Sequence, residues 1–216
     1  MSFYPVMLDL KGKNCLVIGG GRIALRKVTG LLRADALVTV VAAGFISHFN
    51  LLSHRITMIN RCFSESDIQK KYALVIGATD QPSINHTISS KAAELGILCN
   101  IVDQPHLCSF IVPAVVNRGN ITIAISTNAA SPRLSRYIKN EIAKTIGPQF
   151  VQIASYMKEL RVHIRTTLSN PQHRYLFWKE LFEIDLLEYI NNNGWEEFCE
   201  RTNHLVDKFK QKAEII

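Results

Sequence analysis

The chain has 216 residues, 47% of them hydrophobic, and a formal net charge of +7 from 25 Lys and Arg against 18 Asp and Glu. That is core enough for one large domain plus a small one, and the longest apolar run, ALVTVVAAGFI, is too short to span a bilayer. The positive excess favours an anionic partner, but Lys and Arg are scattered without a zinc-finger or RNP-like pattern, so a polyanionic metabolite is at least as good a reading as nucleic acid.

The opening MSFYPVMLDLKGK lacks a basic start followed by an apolar stretch, so no secretory signal is expected. NCLVI at 14–18 and LVTVVA at 37–42 are short β-branched runs of the kind that form buried parallel strands. Between them Ala24, Val28, Leu31 and Leu32 share one side of a predicted helix over 24–33. ITMI at 56–59 and ALVIGA at 73–78 are further strands, a helix is predicted over 83–95, and ILCNIVD at 97–103 is a fifth strand. Strands alternating with helices predict an α/β fold: a Rossmann-like, doubly wound parallel sheet with right-handed crossovers.

The pattern then changes. ITIAIS at 121–126 alternates, as in a half-exposed strand, and SPRLSRYIKNEIAKTIG reads as a helix with Ser131 at its N-cap, Pro132 first inside and Gly147 as the stop. From Phe150 the strand signal fades. Phe150, Ile153, Met157, Leu160, Ile164 and Leu168 predict one long amphipathic helix. A second helix carries Tyr175, Trp178, Leu181 and Phe182 and ends near NNNG at 191–194; a third covers 195–212. The expected organisation is a nucleotide-binding domain at 1–113, a strand–helix dimerisation region at 114–147, and a helical C-terminal domain at 148–216. Five cysteines (Cys15, Cys62, Cys99, Cys108, Cys199) are odd in number and show no CxxC spacing, which predicts a cytoplasmic protein with reduced thiols.

CLVIGGGRIALRK contains Gly19-x-Gly21-x-x-Ala24, a match to G-x-G-x-x-G/A placed between a strand and a helix. In such a turn Gly19 permits the reversal, Gly21 lets a pyrophosphate approach the backbone, and Ala24 allows close helix–strand packing. The helix start at Arg22 and Ile23 then presents free N–H groups to phosphate. The second strand lacks the acidic residue that usually binds the ribose, and no arginine stands beside it for a 2′-phosphate. The ribose therefore falls to backbone around Ala43 and Gly44, and NAD is preferred, with NADP left open. GATD at 77–80 places Thr79 and Asp80 at the carboxyl end of a strand, where they either reach the cofactor or form a turn and helix cap.

Four blocks together carry a resemblance: YPVMLDLKGKNCLVIGGGRIALRK, IGATD, CNIVDQPHLCSFIVPAVV and ITIAISTNAASPRLSRYIKNEI. They are similar to the precorrin-2 dehydrogenase family, whose module also forms the N-terminal part of siroheme synthases. The likeness covers essentially the whole chain and is strongest over 4–140. It implies NAD-dependent dehydrogenation of precorrin-2, a tetrapyrrole with eight carboxylates, to sirohydrochlorin on the route to sirohaem and possibly cobalamin.

By the same resemblance Asp103 is the active-site aspartate; Asn100 and Ser109 flank it as orienting groups and candidate substrate-binding residues. The alternative for Asp103 is a strand-end turn residue before Gln-Pro. Ser126, Thr127 and Asn128 offer donors to a substrate carboxylate, or cap the helix that follows. Arg133 and Arg136, with Lys139, make a basic patch that either meets carboxylates or is solvated helix charge. The resemblance also implies a homodimer with the active site between subunits. Asp35 stands where a glycine is common, and AAGF replaces a proline-containing loop. No methyltransferase domain follows, so the expectation is that another protein supplies precorrin-2. Two alternatives accompany this reading: a bifunctional dehydrogenase and ferrochelatase, and a nucleotide-sensing regulator that binds DNA. No metal-ligand cluster is legible, and neither nucleic acid nor a membrane is the expected partner.

Overall fold

The computed structural model describes residues 3–128 and 130–214. The chain folds as two compact units. One comprises the residues through Pro113 together with the turn before the helix at 132; the other comprises Ala114–Ser126 and everything from Pro132 onward.

The first unit is a five-stranded, all-parallel sheet of β1 (Asn14–Ile18), β2 (Leu37–Ala42), β3 (Ile56–Asn60), β4 (Tyr72–Gly77) and β5 (Leu98–Ile101), in the order β3-β2-β1-β4-β5. Helices α1 (Arg22–Arg33) and α2 (Pro82–Glu94) make the β1-to-β2 and β4-to-β5 connections. A parallel strand covered on both faces must be apolar at every position, and β1 shows how that is met. Cys15 and Val17 point into the layer with α1's Ala24, Val28, Leu31 and Leu32, whereas Leu16 and Ile18 point into the layer with α2's Ile88 and Ala92. The strand order reverses between β1 and β4, and that switch point opens a crevice at the carboxyl ends of the strands. Asp35, φ 53°, takes the left-handed conformation that a glycine adopts easily, so the turn into β2 keeps its shape with an aspartate in place.

Among the described residues, the second unit holds an antiparallel pair, β6 (Ala114–Arg118) with β7 (Ile121–Ile125), and five helices. These are α3 (Pro132–Thr145), α4 (Pro148–Thr167), α5 (Pro171–Leu181), α6 (Leu186–Asn193) and α7 (Trp195–Glu214). β6 is not expected from the sequence, because AVVNR is short and ends in polar residues; pairing with β7 makes it a strand. The single helix expected through Phe182 toward residue 191 is two helices. Asp185 accepts a hydrogen bond from Glu188 N and starts α6 afresh. Leu160, Ile164, Leu168, Phe177, Leu181, Phe198 and Phe209 form this unit's core, each worth about 1.5–3 kcal/mol when fully buried. No helix among the described residues is long and apolar enough to cross a membrane.

Cys15 and Cys99 lie in the sheet, and burial pushes their thiols up to about 11 and about 12. Only the thiolate reacts with disulfide reagents. Native protein at pH 8 should therefore label rapidly at exposed Cys62 and not at Cys15 or Cys99, whereas unfolded protein should label at all five. In the unfolded chain these thiols ionise near their ordinary value of 9.0, so the stability they contribute is present below that pH and declines as pH rises toward 11. Thiol titration and alkaline melting curves check both statements.

Candidate active site

The glycine turn is held from both sides by backbone. Gly19 N donates to Val41 O at 2.9 Å, Gly20 O accepts from Ile46 N at 3.0 Å, and Ala78 N donates to Ile18 O at 2.8 Å. Gly19 has φ +121°, and a Cβ placed there would stand 2.3 Å from Ala78 O. Gly20, which the sequence pattern treats as any residue, is tighter still: its Cβ would stand 2.0 Å from Gly44 O. A Cβ on Gly21, in contrast, would meet nothing within 4 Å. The first two glycines are thus required by the protein's own packing, and the third leaves space that a ligand can take. Gly21 is also the N-cap of α1; it offers no side-chain cap, and no acidic residue sits in the first turn. The N–H groups and positive end of the helix are left for an anion.

These residues form one wall of a cleft of about 580 Å³ lined by Gly19, Gly20, Gly21, Ala42, Ala43, Gly44, Thr79 and Asp80, with Cys62 and Phe63 contributed from the segment after β3. That volume is typical of a pre-formed small-molecule site. Of the residues read as cofactor-binding, Gly19, Gly21, Ala43, Gly44, Thr79 and Asp80 meet here; Arg22 and Ile23 begin α1 and are exposed, but do not line the cleft. Asn85, not singled out from the sequence, sets the Thr79 wall. The Thr79 hydroxyl donates to Asn85 Oδ1 at 2.8 Å, and Asn85 Nδ2 donates to Thr79 O at 3.2 Å. Its signal was a polar residue on the inward face of a helix. For Phe63 and Cys62 there was none, since no local pattern ties their segment to the glycine turn.

One strand beyond the Thr79 wall, the segment leaving β5 reaches Asp103 two residues past the strand's end. Gly77 of β4 is in register with Ile101 of β5, so the chain segments leaving these strands are neighbours. Asp103 is exposed and left-handed, with φ 59°. That conformation reverses the chain, and the returning segment covers the open edge of β5. Ser109 N donates to Cys99 O at 2.9 Å and Cys99 N donates to Ser109 Oγ at 2.8 Å, while Ile101 N donates to Cys108 Sγ at 3.2 Å. Ser109 therefore braces the strand that carries Asp103. Asn100, 6% exposed, points to the α1 side, accepts from Lys27 Nζ at 3.3 Å and donates to Phe110 O at 3.0 Å. Lys27 is a second residue that the sequence pattern does not mark: a lysine on a helix reads as solvated charge until its partner on a distant strand is known. The rings of His86 and His106 lie 6.3 Å apart.

Thr127 and Asn128 belong to the same unit; Thr127 Oγ1 donates to Ser131 O and accepts from Ser131 N, and Asn128 is left-handed at φ 50°. Ser126, Arg133 and Arg136 belong to the second unit, where Arg133 and Arg136 are exposed one turn apart on α3.

Comparison with known proteins bears on what such a cleft serves. A family model described as NAD(P)-binding matches residues 6–114, and one described as the sirohaem biosynthesis protein central region matches 118–145. The siroheme synthase of Thioalkalivibrio sulfidiphilus is 37% identical over 204 residues, which is 94% of this chain and 41% of that protein. The siroheme synthase of Escherichia coli (strain SE11) is 32% identical over 220 residues, covering 100% of this chain and 48% of that protein. The chain thus spans less than half the length of these curated relatives. Among solved structures, SirC, precorrin-2 dehydrogenase, superposes with a TM-score of 0.76 and 27% identity, over 94% of this chain and 100% of that one.

Proposed function

We propose that this chain, which belongs to the precorrin-2 dehydrogenase and siroheme synthase family, dehydrogenates precorrin-2 to sirohydrochlorin with NAD as hydride acceptor. One observation carries the reading. A phosphate-type turn with open space at Gly21 and a left-handed aspartate one strand away stand at the same end of one parallel sheet.

The residues fit a dinucleotide. Gly20, Gly21 and the start of α1 would hold the pyrophosphate, Ala43 and Gly44 the adenosine ribose through backbone, and Thr79 and Asp80 the far wall. When bound, the nicotinamide supplies a hydride acceptor. Loss of a hydride from a carbon centre leaves a proton to be removed, and Asp103 provides a carboxylate for it at the strand end, with Ser109 and Asn100 fixing the backbone beneath. Ser126, Thr127, Asn128, Arg133 and Arg136 are assigned to the substrate's carboxylates, for which forked guanidinium groups are well suited.

Arg61 supports NAD over NADP. It is a cation next to the Cys62–Phe63 wall that does not line the cleft and is engaged with Asp67, with Nη1 2.9 Å from Asp67 Oδ2 and 2.9 Å from Cys62 O. Asp67 is held below the usual carboxylate range chiefly by that arginine. A 2′-phosphate would have to break the pair. A homodimer acting in the cytoplasm is part of the same proposal.

The test is anaerobic turnover of enzymatically prepared precorrin-2, followed by absorbance, with NAD and with NADP. Sirohydrochlorin should form with kcat/KM at least about tenfold higher for NAD, a difference of about 1.4 kcal/mol. Folded protein that turns over with neither cofactor would refute the reading.

A further inference from the structure

α1 carries more than the cofactor turn. Five residues after the helix starts, Lys27 extends a half-buried side chain across to β5, where its ammonium donates to Asn100 Oδ1 at 3.3 Å. Asn100 is buried, and its own amide nitrogen is committed to Phe110 O. Three charged or titratable groups act on Lys27: Arg26 on its own helix, Cys108 on the segment that covers β5, and Asp103 at the strand end. Burial and then Arg26 lower the lysine's pKa, while Cys108 and Asp103 act in the opposite sense. Among the described residues no carboxylate lies within ion-pair distance of it. A half-buried ammonium without a paired carboxylate carries a desolvation cost that a methionine of similar length would not.

We propose that Lys27 is a positioning residue for the dehydrogenation, a retained cation that ties the helix bearing the cofactor turn to the strand bearing Asp103. The hydrogen bond to Asn100 fixes the distance between the two elements. Asp103 follows Asn100 by three residues, on the segment leaving β5, so where that carboxylate stands relative to the cofactor turn depends on this link. This inference rests on Asp103 as the proton acceptor. A lysine whose stem merely covers the sheet would instead be exchangeable for methionine without effect on rate.

A double-mutant cycle separates the two. Wild type, Lys27→Met, Asp103→Asn and the double variant are compared in anaerobic single turnovers, with NAD affinity and Tm measured on each. Lys27→Met should slow hydride transfer roughly 10- to 100-fold with NAD affinity within about twofold of wild type, and in the Asp103→Asn background the same change should cost less than about threefold. Lys27→Arg should recover to within about fivefold of wild type. Lys27→Gln, whose amide ends one bond short of the ammonium and so cannot keep the 3.3 Å link to Asn100, should be as slow as Lys27→Met and stands in for it if methionine impairs folding. Equal losses in both backgrounds, or a Lys27→Gln enzyme as fast as wild type, would overturn the proposal while leaving Asp103's role intact. A fully active Asp103→Asn enzyme would overturn both.

Discussion

Asp103→Asn is expected to lower kcat for precorrin-2 oxidation by about 10²- to 10⁴-fold, the usual contribution of a positioned general base. Asparagine is the informative replacement because of the backbone. Asp103 sits at φ 59°, a conformation that Asn and Asp tolerate and that costs other residues roughly 1–2 kcal/mol. Asp103→Ala would mix loss of the carboxylate with strain in the turn that covers β5; Asp103→Asn removes the charge alone. Because Asp103 does not line the glycine cleft, NAD should still bind with affinity within about twofold of wild type, and Tm should change by less than about 2 °C. Single-turnover rates with parallel NAD titrations read both quantities. A variant with undiminished rate would make Asp103 a turn residue and remove the base from the mechanism.

The second large effect separates two adjacent glycines. Gly20→Ala would place a methyl 2.0 Å from Gly44 O and 3.1 Å from the Ala42 side chain, and a backbone oxygen cannot swing aside. The turn and the loop after β2 would have to part, at about 3–5 kcal/mol, which corresponds to roughly 6–20 °C in Tm for a chain of this size. Gly21→Ala meets no protein atom and has an ordinary backbone (φ −88°, ψ −174°), so its stability should stay within about 0.5 kcal/mol of wild type. Its methyl projects where the pyrophosphate approaches, and NAD affinity should fall at least about tenfold. Melting curves with and without NAD check the pair: Gly21→Ala should melt like wild type without cofactor and gain little from it, and Gly20→Ala should melt early in both. The reverse pattern would mean that the roles of the two positions have been exchanged.

The fingerprint Gly19-x-Gly21-x-x-Ala24 was legible because its spacing falls within one strand–turn–helix, where Gly19 takes the positive φ of the turn, although Ala78 O also bars a side chain there. Gly20 escaped it because the atom that forbids a side chain there belongs to Gly44, across a loop. Asp103 was legible as a strand-end carboxylate through family resemblance, yet its left-handed backbone and the bracing of β5 by Ser109 depend on a segment that doubles back. Lys27 and Asn85 show the same limit, since each is an ordinary helix residue until a partner from another element gives its side chain a task.

What the sequence determined by itself was the set of elements and their class. Runs such as NCLVI and LVTVVA are apolar at nearly every position, which only a strand covered on both faces requires, and the three–four spacing of α4 leaves one side apolar. These are properties of neighbouring residues and need no partner to be read. The tertiary structure alone decided the strand order, the pairing that makes β6 a strand, the break between α5 and α6, and the meeting of the segments after β1, β2, β3 and β4 around the cleft. Each depends on residues far apart in the chain coming together. Side-chain packing and hydrogen bonding select those arrangements only once the elements have met.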